Sequence, residues 1–297
     1  MDIACRLDTE RAAVESLLDR WLPPEGEFPE RIHEAIRYSA LGGGKRLRPI
    51  ISMAAARAVG GDPDSIVPAA CAVEYVHCCS LVLDDLPSMD DASMRRGKPT
   101  THRAFGVATA ILAADALLMH AFKLVAENGV TVGADGETIA AAIKELATAV
   151  GSYGMVGGQH VDLETAAQVS IAPETLEYIQ SRKTGALFVV SARLGPLLAG
   201  ASTRQLAALG EYARNLGLAY QIVDDILDAE GTEEAIGKDI GRDAASHKKT
   251  FVTVHGVEKA RGAALELVQA ARSALDGWPD EADVLRKIAT YCASRTA

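Results

Sequence analysis

Two groups of aspartates stand in otherwise apolar stretches of the 297-residue chain, and their spacing suggests chemistry. In the first group, Asp84, Asp85, Asp90 and Asp91 follow a run of apolar residues. Placing four carboxylates so close together is costly unless cations compensate their charge. Pro87 interrupts the helical regularity between the two pairs and allows the carboxylates to converge. Taken alone, this group also fits a solvated acidic helix end.

The second group contains Asp224, Asp225 and Asp228 among Val, Ile and Leu residues. Asp224 and Asp228 are four residues apart, so they share one face of a helix, which Gln221 joins. Carboxylate oxygens on successive turns suit Mg²⁺, which prefers to have its coordination completed by waters and substrate phosphates. Two such groups make chemical sense if their helices face each other across a cavity.

Basic residues that suit a diphosphate accompany the aspartates. Three glycines precede Lys45, Arg46 and Arg48, and no Ser or Thr follows Lys45 at the spacing of a Walker A loop. Other cations follow the first aspartate group or lie further along the chain: Arg95, Arg96, Lys183, Lys238 and Lys248. Each of these residues, taken alone, could be an ordinary surface charge. The guanidinium group of arginine, however, can donate two parallel hydrogen bonds to phosphate oxygens. With Mg²⁺ they would stabilise a departing diphosphate, and the carbocation left behind would need a dry apolar pocket.

Composition and patterning predict a soluble, all-α protein. The chain is 48% hydrophobic and 24% charged, with a net charge of -10, which disfavours nucleic acid as a partner. Helical periodicity dominates, no linker interrupts it, and we predict a single domain over residues 1–297. Five cysteines without a CxxC pair indicate reduced thiols in a cytoplasmic protein. No leader is recognised, and the longest apolar stretch, broken by Asp115 and His120, is predicted too short to span a membrane.

These motifs together resemble the trans-isoprenyl diphosphate synthase family over nearly the full chain, with most likeness to bacterial geranylgeranyl diphosphate synthases. The matching segments are Gly43-Gly44-Lys45-Arg46-Leu47-Arg48-Pro49, Asp84-Asp85 through Asp90 with Arg95-Arg96-Gly97, Gly157-Gly158-Gln159, Lys183-Thr184-Gly185, and Asp224-Asp225 with Asp228. The resemblance implies a helical bundle around a deep central cavity and a homodimer. It also implies head-to-tail condensation of isopentenyl diphosphate with an allylic diphosphate.

The resemblance also implies a role for each matching residue. The predicted magnesium ligands, direct or through water, are Asp84, Asp85, Asp90, Asp224, Asp225 and Asp228, holding three ions with the allylic diphosphate. That diphosphate would be bound by Arg95, Lys183, Lys238 and Lys248, and isopentenyl diphosphate by Lys45, Arg48, His77 and Arg96. Thr184 and Gln221 would steady the allylic cation, and the released diphosphate would accept the final proton.

Product length is predicted from the residues one turn before Asp84, since a helical turn rises about 5.4 Å. Here they are Cys79 and Ser80. Farnesyl-producing bacterial relatives carry an aromatic residue at the position of Cys79, whereas a small thiol leaves the cavity floor open. We therefore predict a C20 product, with a C15 farnesyl product as the alternative. Leu83 and Val252 depart from the family pattern, and Asp115 is predicted to be a buried structural carboxylate.

Two further functions fit parts of the pattern. A class I terpene cyclase also ionises a prenyl diphosphate, but it would lack the lysine-arginine loop and would carry an Asn/Ser/Glu metal motif in place of the second aspartate group. A non-catalytic regulatory subunit of a prenyl synthase typically loses one aspartate-rich motif, and both are intact here. No GxSxG, HExxH or dinucleotide fingerprint supports a hydrolase, zinc protease or dehydrogenase.

Overall fold

The computed structural model describes residues 3–166, 168, 170–230 and 250–294. Its α-helices are α1 (Ile3–Arg20), α2 (Glu30–Ala40), α3 (Leu47–Ala58), α4 (Val67–Asp84), α5 (Thr101–Phe105), α6 (Val107–Thr131), α7 (Gly136–Val150), α8 (Met155–Thr165), α9 (Pro173–Ile179), α10 (Ala186–Leu198), α11 (Thr203–Glu230), α12 (Phe251–His255), α13 (Val257–Ser273) and α14 (Asp283–Ser294). Over these residues the only sheet is a hairpin of β1 (Met94–Arg95) and β2 (Lys98–Pro99). The predicted all-α class is confirmed.

Helices α4 and α10 form the centre of the bundle. Helix α4 packs against α6, α3, α2 and α10, and α10 packs also against α3, α7 and α11. Both helices are apolar on nearly every face, and burying each Val or Leu side chain contributes about 1.5–3 kcal/mol. Tyr75 of α4 and Phe188 of α10 are fully buried. The central helices are therefore fixed, and α4 delivers its C-terminal Asp84 to one end of the bundle.

Helix α11 is the longest, and its C-terminal half is held between α10 and α13. Ile222, Val223 and Ile226 pack with Ala260 and Ala264 of α13 in a small core of their own. This packing fixes the turns that carry the second aspartate group.

Helix α6 corrects two of our predictions. With 25 residues it is long and apolar enough to cross a membrane, as is α4, so the argument that this stretch is too short was wrong. This criterion uses only length and composition, and the core helix of a soluble protein also satisfies it. Of the residues of α4, 67% are buried within the fold. Asp115, predicted to be buried, is exposed on α6. Ile111, Leu112 and Met119 are also exposed on this helix.

Candidate active site

The first aspartate group lies in the turn that follows α4. The amide of Asp90 donates to the carbonyl of Asp84 at 2.9 Å, so the chain folds back as the sequence predicted from Pro87. Asp84 is half-buried and Asp90 is exposed. Asp85 is only 3% exposed, and Nε of Arg95 lies 3.1 and 3.2 Å from its two carboxylate oxygens. The Asp85 carboxylate is thus ion-paired with Arg95.

The glycine run before Lys45 makes room for Arg96. Gly44 has φ +132°, and a Cβ at this position would lie 2.7 Å from the guanidinium carbon of Arg96. Arg96 also donates to the carbonyl of Gly43. The positive φ values of Gly43 and Gly44 favour glycine at both positions, and the contact with Arg96 joins the segment after the first aspartates to the lysine-arginine loop.

Arg46 has a structural environment that its neighbours Lys45 and Arg48 do not share. Its side chain is fully buried, and its backbone is left-handed with φ 50°. It donates to Glu74 at 2.7 Å, to Glu15 at 2.8 and 3.1 Å, and to the carbonyl of Ala40 at 2.7 Å. Burial disfavours its charge, but the bonds to Glu15 and the proximity of Glu74 raise its pKa above the ordinary value. Arg46 therefore anchors the loop instead of binding a ligand.

Arg48, by contrast, has a buried Nε with no hydrogen-bond partner among the residues that the structure describes. Its guanidinium lies 4.9 Å from the ring centroid of Phe188, and Nζ of Lys45 lies 6.0 Å from that of Tyr220. Burial lowers the pKa of Arg48, Arg96 lowers it further, and Glu74, Tyr220 and Asp224 act in the opposite direction. The charges of Arg96 and Asp224 thus both act on Arg48. Arg48 is therefore close to the segment that follows the first aspartate group and also to the second aspartate group.

His77 lies close to Arg48 and Arg96. Burial, followed by the charges of Arg48, Arg96, Arg46 and Arg95, holds its pKa well below 6.5. The imidazole is therefore neutral at neutral pH, and it adds a hydrogen-bonding group without adding charge. A cluster of cations around a neutral histidine, with an unpaired guanidinium nitrogen, is an environment suited to a phosphate anion.

Lys183 and Thr184 lie in a π-helical segment, Gln180–Gly185, between α9 and α10. Such segments are rare and occur frequently at functional sites. Nζ of Lys183 is 2.6 Å from Oδ2 of Asp162 on α8. The hydroxyl of Thr184 donates to Oε1 of Gln221 at 2.8 Å, which confirms that these two residues lie together.

The π-segment and α8 approach each other at a glycine. A Cβ on Gly158 would lie 2.3 Å from the backbone nitrogen of Lys183, so no other residue fits this crossing. This contact gives a physical reason for glycine in the Gly157-Gly158-Gln159 motif. It allows the backbone of α8 to pack directly against the backbone of the π-segment at Lys183.

Within the described part of the chain, Asp225 accepts hydrogen bonds from three other groups. It is 5% exposed and accepts from Gln221 Nε2 at 2.9 Å, from the amide of Phe251 at 3.1 Å and from Gln180 Nε2 at 3.5 Å. Its carboxylate links α11, α12 and the π-segment. Its role as a metal ligand stays a prediction, as it does for Asp224 and Asp228, which are half-buried on the same helix.

A metal in this site would need oxygen atoms from a substrate. Over the described ranges, no three His, Cys, Asp or Glu side chains converge into a metal-binding group. Mg²⁺ commonly uses only one or two carboxylates and takes phosphate oxygens for the rest. Asp84, Asp90, Asp224 and Asp228 suit that mode of binding. Lys238 and Lys248 lie outside the described residues.

The predicted product-length residues lie on the last turns of α4. Cys79 is 3% exposed, and burial, followed by the nearby Cys78, Asp115 and Asp84, raises the pKa of its thiol to about 12. Cys79 is therefore a small neutral group. The hydroxyl of Ser80 donates to the carbonyl of His77 at 2.8 Å.

Three residues of the site were given no role from the sequence. Asp162 pairs with Lys183, Gln180 contacts Asp225, and Gln159 has a buried, unpartnered Oε1 near Met89. The three-residue spacing of Gln159 and Asp162 places both on one face of α8. That spacing was the available signal.

Comparison with known proteins decides the family. The family model described as polyprenyl synthetase matches residues 29–285. The chain belongs to the polyprenyl synthetase family. It is a prenyltransferase of the type that elongates prenyl chains.

Relatives named geranylgeranyl diphosphate synthase and relatives named farnesyl diphosphate synthase are both similar to the chain. The geranylgeranyl diphosphate synthase of Cyanophora paradoxa is 42% identical, over 95% of this chain and 93% of the relative. The farnesyl diphosphate synthase of Geobacillus stearothermophilus is 41% identical, over 97% and 96%. The crystal structure of geranylgeranyl pyrophosphate synthetase from Pyrococcus horikoshii superimposes with a TM-score of 0.88 at 31% identity, over 99% and 98%.

Proposed function

We propose that the protein condenses isopentenyl diphosphate head-to-tail with allylic diphosphates and makes a C20 product. The unpaired, half-buried Arg48 beside Lys45, His77 and Arg96 carries this proposal, because it supplies a second diphosphate position apart from the aspartates. An enzyme that ionises one diphosphate needs no such position. An elongating enzyme needs it for the incoming isopentenyl unit.

In this proposal each group of residues has a separate role in the reaction. Asp84, Asp90, Asp224 and Asp228 hold Mg²⁺ with the allylic diphosphate, and the ions supply stabilisation of the charge on the departing group. Lys183 and Arg95 approach the same diphosphate, together with Lys238 and Lys248. Asp85 and Asp225 position Arg95 and Gln221 through the bonds described above.

The hydroxyl of Thr184 and the amide of Gln221 lie where the allylic carbon becomes positive. Their oxygen atoms orient partial negative charge toward it without offering a strong nucleophile. The apolar side chains of α4 and α10 exclude water from the intermediate. The departed diphosphate accepts the proton lost from the isopentenyl unit, so no dedicated base is needed.

The C20 product is supported by the small Cys79, five residues before Asp84 on α4. At about 1.5 Å per residue, its side chain lies roughly 7.5 Å along the helix from the carboxylate, in the direction in which the chain would grow. Farnesyl diphosphate synthase activity is the second candidate. The relative from Geobacillus stearothermophilus bears that name and favours it.

We also propose a cytoplasmic homodimer whose interface includes α6. Ile111, Leu112 and Met119 expose 44, 57 and 58% of their surface on one helix of the monomer. Apolar side chains exposed together in this way mark an interaction surface. A second copy of the chain is the occupant that the family resemblance implies.

Incubation of the purified protein with Mg²⁺, isopentenyl diphosphate and each allylic substrate tests the function. Chromatography of the dephosphorylated alcohols is expected to show geranylgeraniol. Farnesol as the final product would support the second candidate. A cyclic hydrocarbon would show a terpene cyclase, and no product from folded protein would show a regulatory subunit.

A further inference from the structure

A groove of about 580 Å³ lies on the outer side of α10, bordered by α7, α11 and the π-segment. Its floor is apolar, with Ala149, Ala186, Val189 and Leu218 among the lining residues. The volume is in the range of pockets that bind small molecules. None of the residues that we place in the catalytic site lines it.

The rim of the groove is cationic, although the chain as a whole carries a net charge of -10. Lys144, Arg182, Arg193 and Arg214 line it, against two carboxylates, Glu145 and Glu177. Glu145 is bonded to Arg193 through Nη2 at 3.2 Å. Lys144, Arg182 and Arg214 form no ion pair within the described part of the chain. Four cations against two carboxylates leave the rim with a net of two positive charges, and a cationic rim around an apolar floor matches an anionic head group with a hydrocarbon tail.

The groove and the catalytic site share the π-segment as a wall. Ser181, Arg182 and Gly185 line the groove, whereas Lys183 and Thr184 contact Asp162 and Gln221. A ligand that contacts Arg182 therefore acts on the residue next to Lys183. Such π-helical segments occur frequently at functional sites.

We propose that the groove is a regulatory site for a long-chain prenyl diphosphate, separate from the catalytic site and independent of metal. The choice of ligand class rests on the proposed function. A diphosphate, with two to three negative charges, matches a rim with a net charge of about +2 better than a single carboxylate would. Binding pulls Arg182 toward the groove, alters the position of Lys183 and lowers turnover.

The test uses calorimetry on the full chain in chelator, with isopentenyl diphosphate saturating its own position. Geranylgeranyl diphosphate is expected to bind at one metal-independent site. Arg214→Glu is expected to weaken this binding at least tenfold, because it reverses one of the cationic charges of the rim. Arg204→Glu, on the same helix but outside the groove, is the matched control and should bind like the unaltered chain. Inorganic diphosphate and geranylgeraniol each lack half of the ligand and should bind at least tenfold more weakly.

Absence of metal-independent binding would overturn the proposal, as would equal binding by the two variants. A second measurement follows initial rates with metal present. Geranylgeranyl diphosphate should inhibit the reaction in part non-competitively, so that excess allylic substrate does not fully restore the rate. Arg214→Glu should remove only this non-competitive part of the inhibition. Failure of the proposed function would look different, since the chain would not elongate even without added product.

Discussion

Arg46 and Arg48 are two residues apart, yet their surroundings differ in charge and in hydrogen bonding. Glu15 and Glu74 compensate the buried Arg46, and the guanidinium makes four strong hydrogen bonds. The buried Nε of Arg48 has no hydrogen-bond partner in the part of the chain that the structure describes. One arginine therefore fixes the loop, and the other is available to a substrate.

Arg46→Lys keeps the charge but loses the planar fork that reaches both glutamates. We expect stability to fall by about 3 kcal/mol, as when a buried ion pair is disrupted. We also expect KM for isopentenyl diphosphate to rise roughly tenfold, because a 1.4 kcal/mol loss of loop positioning has this effect. KM for the allylic substrate should change much less. Steady-state kinetics measure both values, with the exposed Arg57→Lys as control, and an equal rise in both KM values would contradict this role.

Cys79 should control product length, because an aromatic ring there would close the space below the aspartates. Cys79→Phe is expected to shift the main product from C20 to C15, while Cys79→Ser keeps C20. Chromatography of the alcohols after phosphatase treatment reads the result. An unchanged product from the Phe variant would place the floor of the cavity elsewhere.

At the scale of residues, the sequence predicts those groups whose partners lie nearby in the chain. Gln221 and Asp225 are four apart and do make a hydrogen bond. Asp162 pairs with Lys183, and Arg46 with Glu15 and Glu74, only because distant helices meet. No local spacing announces such pairs. Asp85 and Asp225, predicted as metal ligands, also accept hydrogen bonds from protein groups.

At the scale of elements, the crossing of α8 and the π-segment decides where Lys183 lies. Helical periodicity predicts that helices exist here, but a π-helical insertion leaves no periodic signal. The Gly-Gly-Gln motif indicated a family resemblance without giving a reason. The reason is the contact of Gly158 with the backbone of Lys183.

Gly158→Ala should separate these two backbones. We expect an overpacking cost of about 1–3 kcal/mol and a displaced Lys183. Turnover should fall by more than tenfold. Gly262→Ala is the matched control, because this helical glycine on α13 has open space around its Cβ and the substitution should stabilise by up to about 1 kcal/mol. Thermal unfolding and kcat are measured together, and full activity of Gly158→Ala would contradict the positioning role of the crossing.

At the scale of the whole molecule, the helical class follows from the sequence because apolar residues recur with helical spacing almost throughout. The exposure of α6 does not follow from it. A helix that is apolar on most faces fits a core and an interface equally, and only the packing shows which side chains of α6 are exposed in the monomer. The outer surface of α6 is the one that we propose as the dimer interface.

Met119→Glu tests this interface. A carboxylate there would be desolvated when two copies associate, so we expect the dimer to dissociate into monomers. Light scattering after size-exclusion chromatography measures the mass. Leu265→Glu, at an exposed leucine of α13, is the control and should remain dimeric. A Met119→Glu protein with twice the mass of one chain would contradict the assignment.

The most direct test of the proposed mechanism is a magnesium titration of the elongation rate with farnesyl and isopentenyl diphosphates. We expect no turnover in chelator and saturation as Mg²⁺ is added. Asp84→Asn and Asp224→Asn should each lower kcat by on the order of 100-fold, since metal ions stabilise the leaving group by several kcal/mol. The exposed Asp276→Asn should behave like the unaltered chain. Undiminished elongation in chelator, or full activity of both aspartate variants, would contradict the account.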